Sequence, residues 1–155
     1  MAVERMDHVG VIVEDLAGAR SFFEEIGLRA VGEARVDEPR AGRVTRLPGQ
    51  RVELVMLETP DGHARLEVSR FLEPVDEDGP QRARSNRLGI RHLAFVVTDL
   101  RGMLERLAGL GFETVGSVED YRGIYLLCHA RGPEEIVVEL AEEIGDPSRM
   151  LDPAT

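Results

Sequence analysis

The stretch DHVGVIVEDL at residues 7–16 returns as RHLAFVVTDL at residues 91–100. Each copy places a histidine at the head of an apolar run and an Asp-Leu pair at its end. His92 follows His8 by 84 positions, and the same offset carries Asp15 to Asp99, Leu16 to Leu100, Gly27 to Gly111, Val31 to Val115 and Gly32 to Gly116. Identities on one offset, spread over about 25 positions, mark an internal duplication. Two copies are too few for a solenoid, so the pattern implies two modules related by a pseudo-twofold axis.

The grammar of each copy is the same. A β-rich run opens it, MDHVGVIV (6–13) and IRHLAFVV (90–97). A helix pattern follows. Asp15 is placed as its N-cap, with Leu16, Ala19, Phe22 or Phe23, and Ile26 near one face. Gly27 is placed to end it in a left-handed cap. Asp99, Leu100, Met103, Leu104, Leu107 and Gly111 repeat that order. Three strand-like segments then follow in each copy, at 28–36, 51–58 and 64–71 and at 112–118, 123–130 and 135–141. TPDG (59–62) and RGPE (131–134) are turn chemistry between the last two. Each module therefore reads β-α-β-β-β, an α+β fold. The first spans 1–72, a polar segment with two prolines links them at 73–89, the second spans 90–142, and a tail of frayed end or short surface helix covers 143–155.

Composition narrows the function. A chain of 155 residues with 43% hydrophobic and 31% charged residues suits one globular domain or two small modules sharing a core. The formal net charge of −10 and the absence of Trp speak against nucleic acid and anionic lipid as partners. No apolar run approaches the roughly 18 residues a membrane span needs. The start MAVERMDHVG has no apolar signal core, and a single cysteine, Cys128, fits a reducing cytoplasm. Cys128 reads as a buried strand residue.

The last strand of each copy carries a glutamate between apolar neighbours, Leu66-Glu67-Val68 and Val138-Glu139-Leu140. By the period of two, Glu67 shares a face with Arg65 and Ser69, and Glu139 with Val137 and Ala141. A carboxylate in such surroundings needs a cation, a proton or a metal. For Glu67 alone, Arg65 or Arg70 would serve. The His–Glu combination occurs at matching places in both copies, however. If the two sheets face one another, His8, Glu67, His92 and Glu139 converge as a His₂Glu₂ site. Mixed nitrogen and oxygen donors suit Zn²⁺, Ni²⁺, Co²⁺, Mn²⁺ or Fe²⁺. His63 and His129 have no counterpart at the repeat offset. His63 sits beside a turn and reads as solvated; His129 lies on a strand, facing either into the cavity or out of it.

At these residues the chain resembles the vicinal oxygen chelate superfamily: glyoxalase I, methylmalonyl-CoA epimerase, extradiol dioxygenases, and bleomycin and fosfomycin resistance proteins. The resemblance covers 6–142. It rests on HVGVIVEDL (8–16), GIRHLAFVVTDL (89–100), the glycines Gly27 and Gly111, and the closers RLEV (65–68) and VVEL (137–140). It implies paired βαβββ modules curling into a half-open barrel around one divalent metal, with His8, Glu67, His92 and Glu139 as ligands. It also implies a small-molecule substrate that chelates the metal through adjacent oxygens, and a homodimer. The full ligand set looks like glyoxalase I or the epimerases. Bacterial glyoxalase I carries an arginine four positions after the first histidine; here that residue is Ile12, which argues against glutathione as cosubstrate. The extra glutamate of the epimerases has only Gln50 and Glu53 as candidates.

The chemistry so implied is proton abstraction next to a chelated carbonyl, by a lyase or isomerase with Glu139 as first choice of general base and Glu67 as second. Two alternatives belong to other classes. One is an extradiol-type dioxygenase using His8, His92 and Glu139, with His129, Tyr121 and Tyr125 as nearby acid–base groups. The other is a non-catalytic, antibiotic-sequestering protein.

Overall fold

Asp15 caps the first helix, as its place in the repeat predicts, its carboxylate accepting from Gly18 N–H at 2.9 Å. The computed structural model describes residues 2–151, which divide into two compact units at Pro80/Gln81. In the first unit the elements run β1 (Val9–Ile12), α1 (Leu16–Glu25), β2 (Arg29–Val36), α2 (Pro39–Thr45), β3 (Arg51–Glu58) and β4 (Arg65–Glu73). The sheet order is β1-β4-β3-β2, with β1 parallel to β4 and the other pairs antiparallel. In the second unit they run β5 (Leu93–Val97), α3 (Leu100–Gly109), β6 (Glu113–Thr114), β7 (Glu119–Tyr121), β8 (Tyr125–Arg131) and β9 (Val137–Glu143). That sheet has the order β5-β9-β8-β6, with β7 also paired to β8, and β5 parallel to β9. Short 3₁₀ turns occupy Pro133–Glu135 and Pro147–Leu151. The tail expected at 143–155 is thus partly this last turn; residues 152–155 lie outside the described part. The fold class is α+β. Among the described residues no helix is long and apolar enough to cross a membrane.

The helix ends show why the repeat was kept. Gly27 N–H bonds Glu24 C=O at 3.0 Å and Leu28 N–H bonds Phe23 C=O at 3.0 Å. Gly111 N–H bonds Ala108 C=O and Phe112 N–H bonds Leu107 C=O, both at 3.0 Å. These are two Schellman closures, and the glycines stand at φ +109 and +88, where a Cβ is strained. Phe22 and Phe23 both turn inward, joining Ala19, Val55, Leu57 and Val68 in the first core. Leu100, Leu107, Ile124, Val138 and Leu140 form the second. Glu142 anchors α3 from the sheet, its carboxylate accepting from Leu100 N–H at 2.9 Å, where the helix dipole favours negative charge.

A further identity on the offset, Gly18 and Gly102, has a steric cause. A Cβ at Gly18 would stand 2.4 Å from Asp15 Oδ2, and one at Gly102 would stand 2.2 Å from Asp99 Oδ2. Gly→Ala within a helix ordinarily gains about 1 kcal/mol, and losing the cap costs about the same. Gly102→Ala is therefore expected to bring no stabilisation in chemical denaturation; a gain near 1 kcal/mol would show that the cap bond contributes nothing.

Two elements depart from expectation. β7 lies beyond the expected bounds, Val115–Val118 are not strand, and the strand expected at 112–118 shrinks to the two residues of β6. Its counterpart β2 stays whole but shifts register between Ala30 and Gly32. The repeated Val-Gly pair marks an irregularity in both copies, a bulge in one and a break in the other, where Gly116 and Ser117 favour strand weakly. The second departure is α2, which opens with Pro39 at its first turn and holds Gly42 against the chain. A Cβ at Gly42 would meet Leu47 O at 2.7 Å. Buried Gln50 ties the segment down through Thr45 Oγ1.

Candidate metal centre

Each unit presents a histidine and a glutamate on one face of its sheet, by the same register. His8 stands one residue ahead of β1, and Gly10, two further on and so on the same face, pairs with Glu67. His92 stands one residue ahead of β5, and Ala94 pairs with Glu139. The parallel pairing of first and last strand thus brings a histidine beside a glutamate twice.

In the first unit His8 Nε2 lies 3.9 Å from Glu67 Oε2, and Glu67 Oε1 accepts from the buried Ser69 hydroxyl at 3.2 Å. Among the described residues Glu67 has no arginine partner: Arg65 is held by Glu58 at 2.9 Å, and Arg70 faces the other side of the sheet, with Leu66 and Val68. Asp7 meets His8 Nδ1 at 3.0 Å. That carboxylate, held below its ordinary range by the His8 hydrogen bond and by Arg5, can only accept, so Nδ1 donates to it and Nε2 is the nitrogen that faces Glu67. In the second unit Arg91 occupies the place of Asp7, so that orienting contact exists once.

The second unit is richer. Glu139 Oε2 lies 3.8 Å from His92 Nε2 and 2.8 Å from His129 Nε2. His129 and Glu139 are a directly opposed pair of β8 and β9. The two imidazoles stack obliquely, their centroids 5.0 Å apart. Glu139 is 24% exposed, half-buried rather than buried. Ligand atoms of His92, His129 and Glu139 all lie within 4.8 Å of one another. Two atoms bound to one ion at about 2.1 Å each span at most about 4.2 Å, so the His8–Glu67 separation and the His92–Glu139 separation are each short enough for two ligands of one ion. Neutral imidazole and carboxylate are the donor types that a divalent first-row ion takes.

The weight of His129 was hidden from a reading based on repetition, because Met56 takes its place opposite Glu67 in the first unit. The hairpin register settles it instead: the loop runs over 132–136, longer than the RGPE turn, which sets Arg131 opposite Val137 and His129 opposite Glu139. The other expectations resolve simply. His63 is exposed and sits 3.5 Å from Asp61. Cys128 is a free, buried thiol whose pKa burial pushes up. Glu53 is paired with Arg35 and lines a cavity with Asp15, Leu16 and Arg20 on the α1 side of its sheet, away from Glu67.

The sequence profile of the glyoxalase/bleomycin resistance protein/dioxygenase superfamily matches residues 7–126. The chain belongs to this superfamily. A glyoxalase family protein from Bacillus cereus is 48% identical, with a TM-score of 0.90 over 94% of this chain and 97% of that one. Two more distant structures share the superfamily's fold alone. A mutant of the fosfomycin resistance protein FosX from Listeria monocytogenes, complexed with Mn(II) and dihydroxypropylphosphonic acid, is 13% identical, with a TM-score of 0.66 over 99% of this chain and 100% of that one. The trypanothione-dependent glyoxalase I of Leishmania major is 18% identical, with a TM-score of 0.64 over 98% of this chain and 93% of that one. A search of curated protein sequences found no match.

Proposed function

We propose that the protein is a divalent-metal-dependent lyase or isomerase of the glyoxalase I/epimerase type, in which Glu139 removes a proton next to a carbonyl of a small molecule. One observation carries the reading: Glu139 Oε2 stands between two imidazole nitrogens, at 2.8 Å from His129 and 3.8 Å from His92. The pairs His8–Glu67 and His92–Glu139 would hold the ion, one pair from each module, within one chain or across two copies. When bound, a divalent ion supplies Lewis acidity to the substrate oxygens and lowers the pKa of the neighbouring C–H. His129 fixes one oxygen of Glu139 by its hydrogen bond and leaves the other to take the proton. Asp7 fixes His8 in the tautomer whose Nε2 is a ligand. Glu67, held by Ser69, is the second carboxylate available to return the proton. Glu53 is neutralised on the other side of its sheet and Gln50 is bound to Thr45, so neither serves as an epimerase's additional base. A homodimer working on a small-molecule substrate accords with the superfamily, and a cytoplasmic setting with the free thiol of Cys128.

A second reading is favoured by one feature of the same cluster. Two histidines and one carboxylate, here His92, His129 and Glu139, are the donor set of Fe(II) oxygenases. Elemental analysis separates the readings. The expected result is one divalent ion per chain after loading, lost in His92→Ala, together with solvent-deuterium entry next to the carbonyl of a small hydroxyketone such as hydroxyacetone. O₂ uptake with Fe(II) and a catechol would promote the dioxygenase. No ion after loading with Mn(II), Fe(II), Co(II), Ni(II) or Zn(II) would leave a sequestering protein.

A further inference from the structure

Past His129, β8 continues along the same face to Arg131. Alternate residues of a strand share a face and stand about 7 Å apart, and Arg131 pairs with Val137, next on that face to the His129–Glu139 pair. Its side chain is only 11% exposed. Nη1 donates to Glu135 Oε2 at 2.9 Å, while Nε is buried without a hydrogen-bond partner. An unpaired, buried N–H on a cation is a standing cost that a ligand oxygen removes. Arg131 lines a cavity of about 380 Å³ together with Arg82, Arg84, Ser85 and Val115. Arg82 is held by Glu113 and lies 3.9 Å from Glu135. The side chains of Arg84 and Ser85 have no partner among the described residues.

The charge count is informative. Three guanidiniums face two carboxylates, Glu113 and Glu135, leaving one positive charge. The corresponding sheet face of the first module is built differently. There the places of His129 and Arg131 are taken by Met56 and Glu58, opposite Glu67 and Arg65, and Glu58 is bound to Arg65 at 2.9 Å. The cationic cavity is therefore not a by-product of the duplicated fold. It arose in one half, on the face that carries Glu139.

We infer that Arg131, Arg84 and Ser85 form a carboxylate subsite, and that the substrate is a small molecule bearing a carboxylate beyond its metal-chelating carbonyl. The second half of this statement rests on the proposed metal-dependent function; the binding of the carboxylate does not. A guanidinium fork matches a carboxylate in shape. One uncompensated positive charge matches a carboxylate better than a phosphate group carrying about −1.5 to −2.

The test is a calorimetric titration of the metal-free protein with propionate and, separately, with inorganic phosphate, at fixed low ionic strength. Saturable propionate binding is expected, weakened roughly fivefold in Arg84→Gln, whose exposed side chain plays no part in the core. Arg101→Gln, an exposed arginine on α3, removes the same charge and is expected to leave binding unchanged. No saturable propionate binding, equal weakening by both variants, or tighter binding of phosphate would each overturn the carboxylate subsite. Since no metal is present in the titration, these results stand apart from the ion analysis that tests the proposed function.

Discussion

Glu139→Gln is expected to weaken divalent-ion binding about a hundredfold and, in protein saturated with ion, to slow proton exchange a further 10²- to 10⁴-fold. The first figure follows from the size of a four-ligand site: on the order of 10–16 kcal/mol shared by four donors is about 3 kcal/mol each, roughly two decades in affinity. The second is the usual worth of a positioned general base. Glutamine keeps the shape of the half-buried side chain but brings a weak neutral ligand and no proton acceptor. Its amide still reaches His129, so thermal stability should change little. Calorimetric titration with Co(II) reads the first effect, and solvent-deuterium entry under saturating ion reads the second. Wild-type affinity would remove Glu139 from the ligand set. Lost affinity with unchanged exchange would pass the base role to Glu67.

His8→Ala is expected to cost a comparable hundredfold in Co(II) affinity, although His92, His129 and Glu139 remain intact. This variant separates a shared site from one built by the second module alone. His8 is 37% exposed and outside the core, so its loss should not unfold the protein. Its removal also frees Asp7, whose carboxyl His8 and Arg5 hold below the ordinary range. The Asp7 pKa should then rise, which an NMR titration reads independently of any metal. Unchanged Co(II) affinity alongside a raised Asp7 pKa would mean that the first module's pair serves another purpose.

Repetition was a reliable guide to what the two halves share and blind to what they do not. Asp15 and Asp99, Gly27 and Gly111, and the Val-Gly pairs at 31–32 and 115–116 each mark a local backbone need, and local needs are written in adjacent residues. The strand at 51–58 is found with the expected bounds for the same reason, its run of apolar and β-branched residues being local. The segment α2 was missed because Gly42, Val44 and Thr45 are weak helix formers; its stability comes from Gln50 and Leu47, outside the helix. In sequence, His129 reads only as a strand residue of undecided face and Arg131 carries no signal, because Met56 and Glu58 occupy their places in the other copy.

The duplicated β-α-β-β-β grammar, the caps that bound each helix, and the His–Glu combination of each module are legible in the residues alone. Periodicity and capping act within a few residues and leave their trace there. Long-range packing set which nitrogen of His8 faces Glu67, that His129 rather than an arginine grips a site carboxylate, and that Arg131 meets Arg82 and Arg84 in one cavity. Those outcomes depend on hairpin register and on a segment nearly fifty residues away in the chain returning to the same sheet face, and no local pattern records such distances.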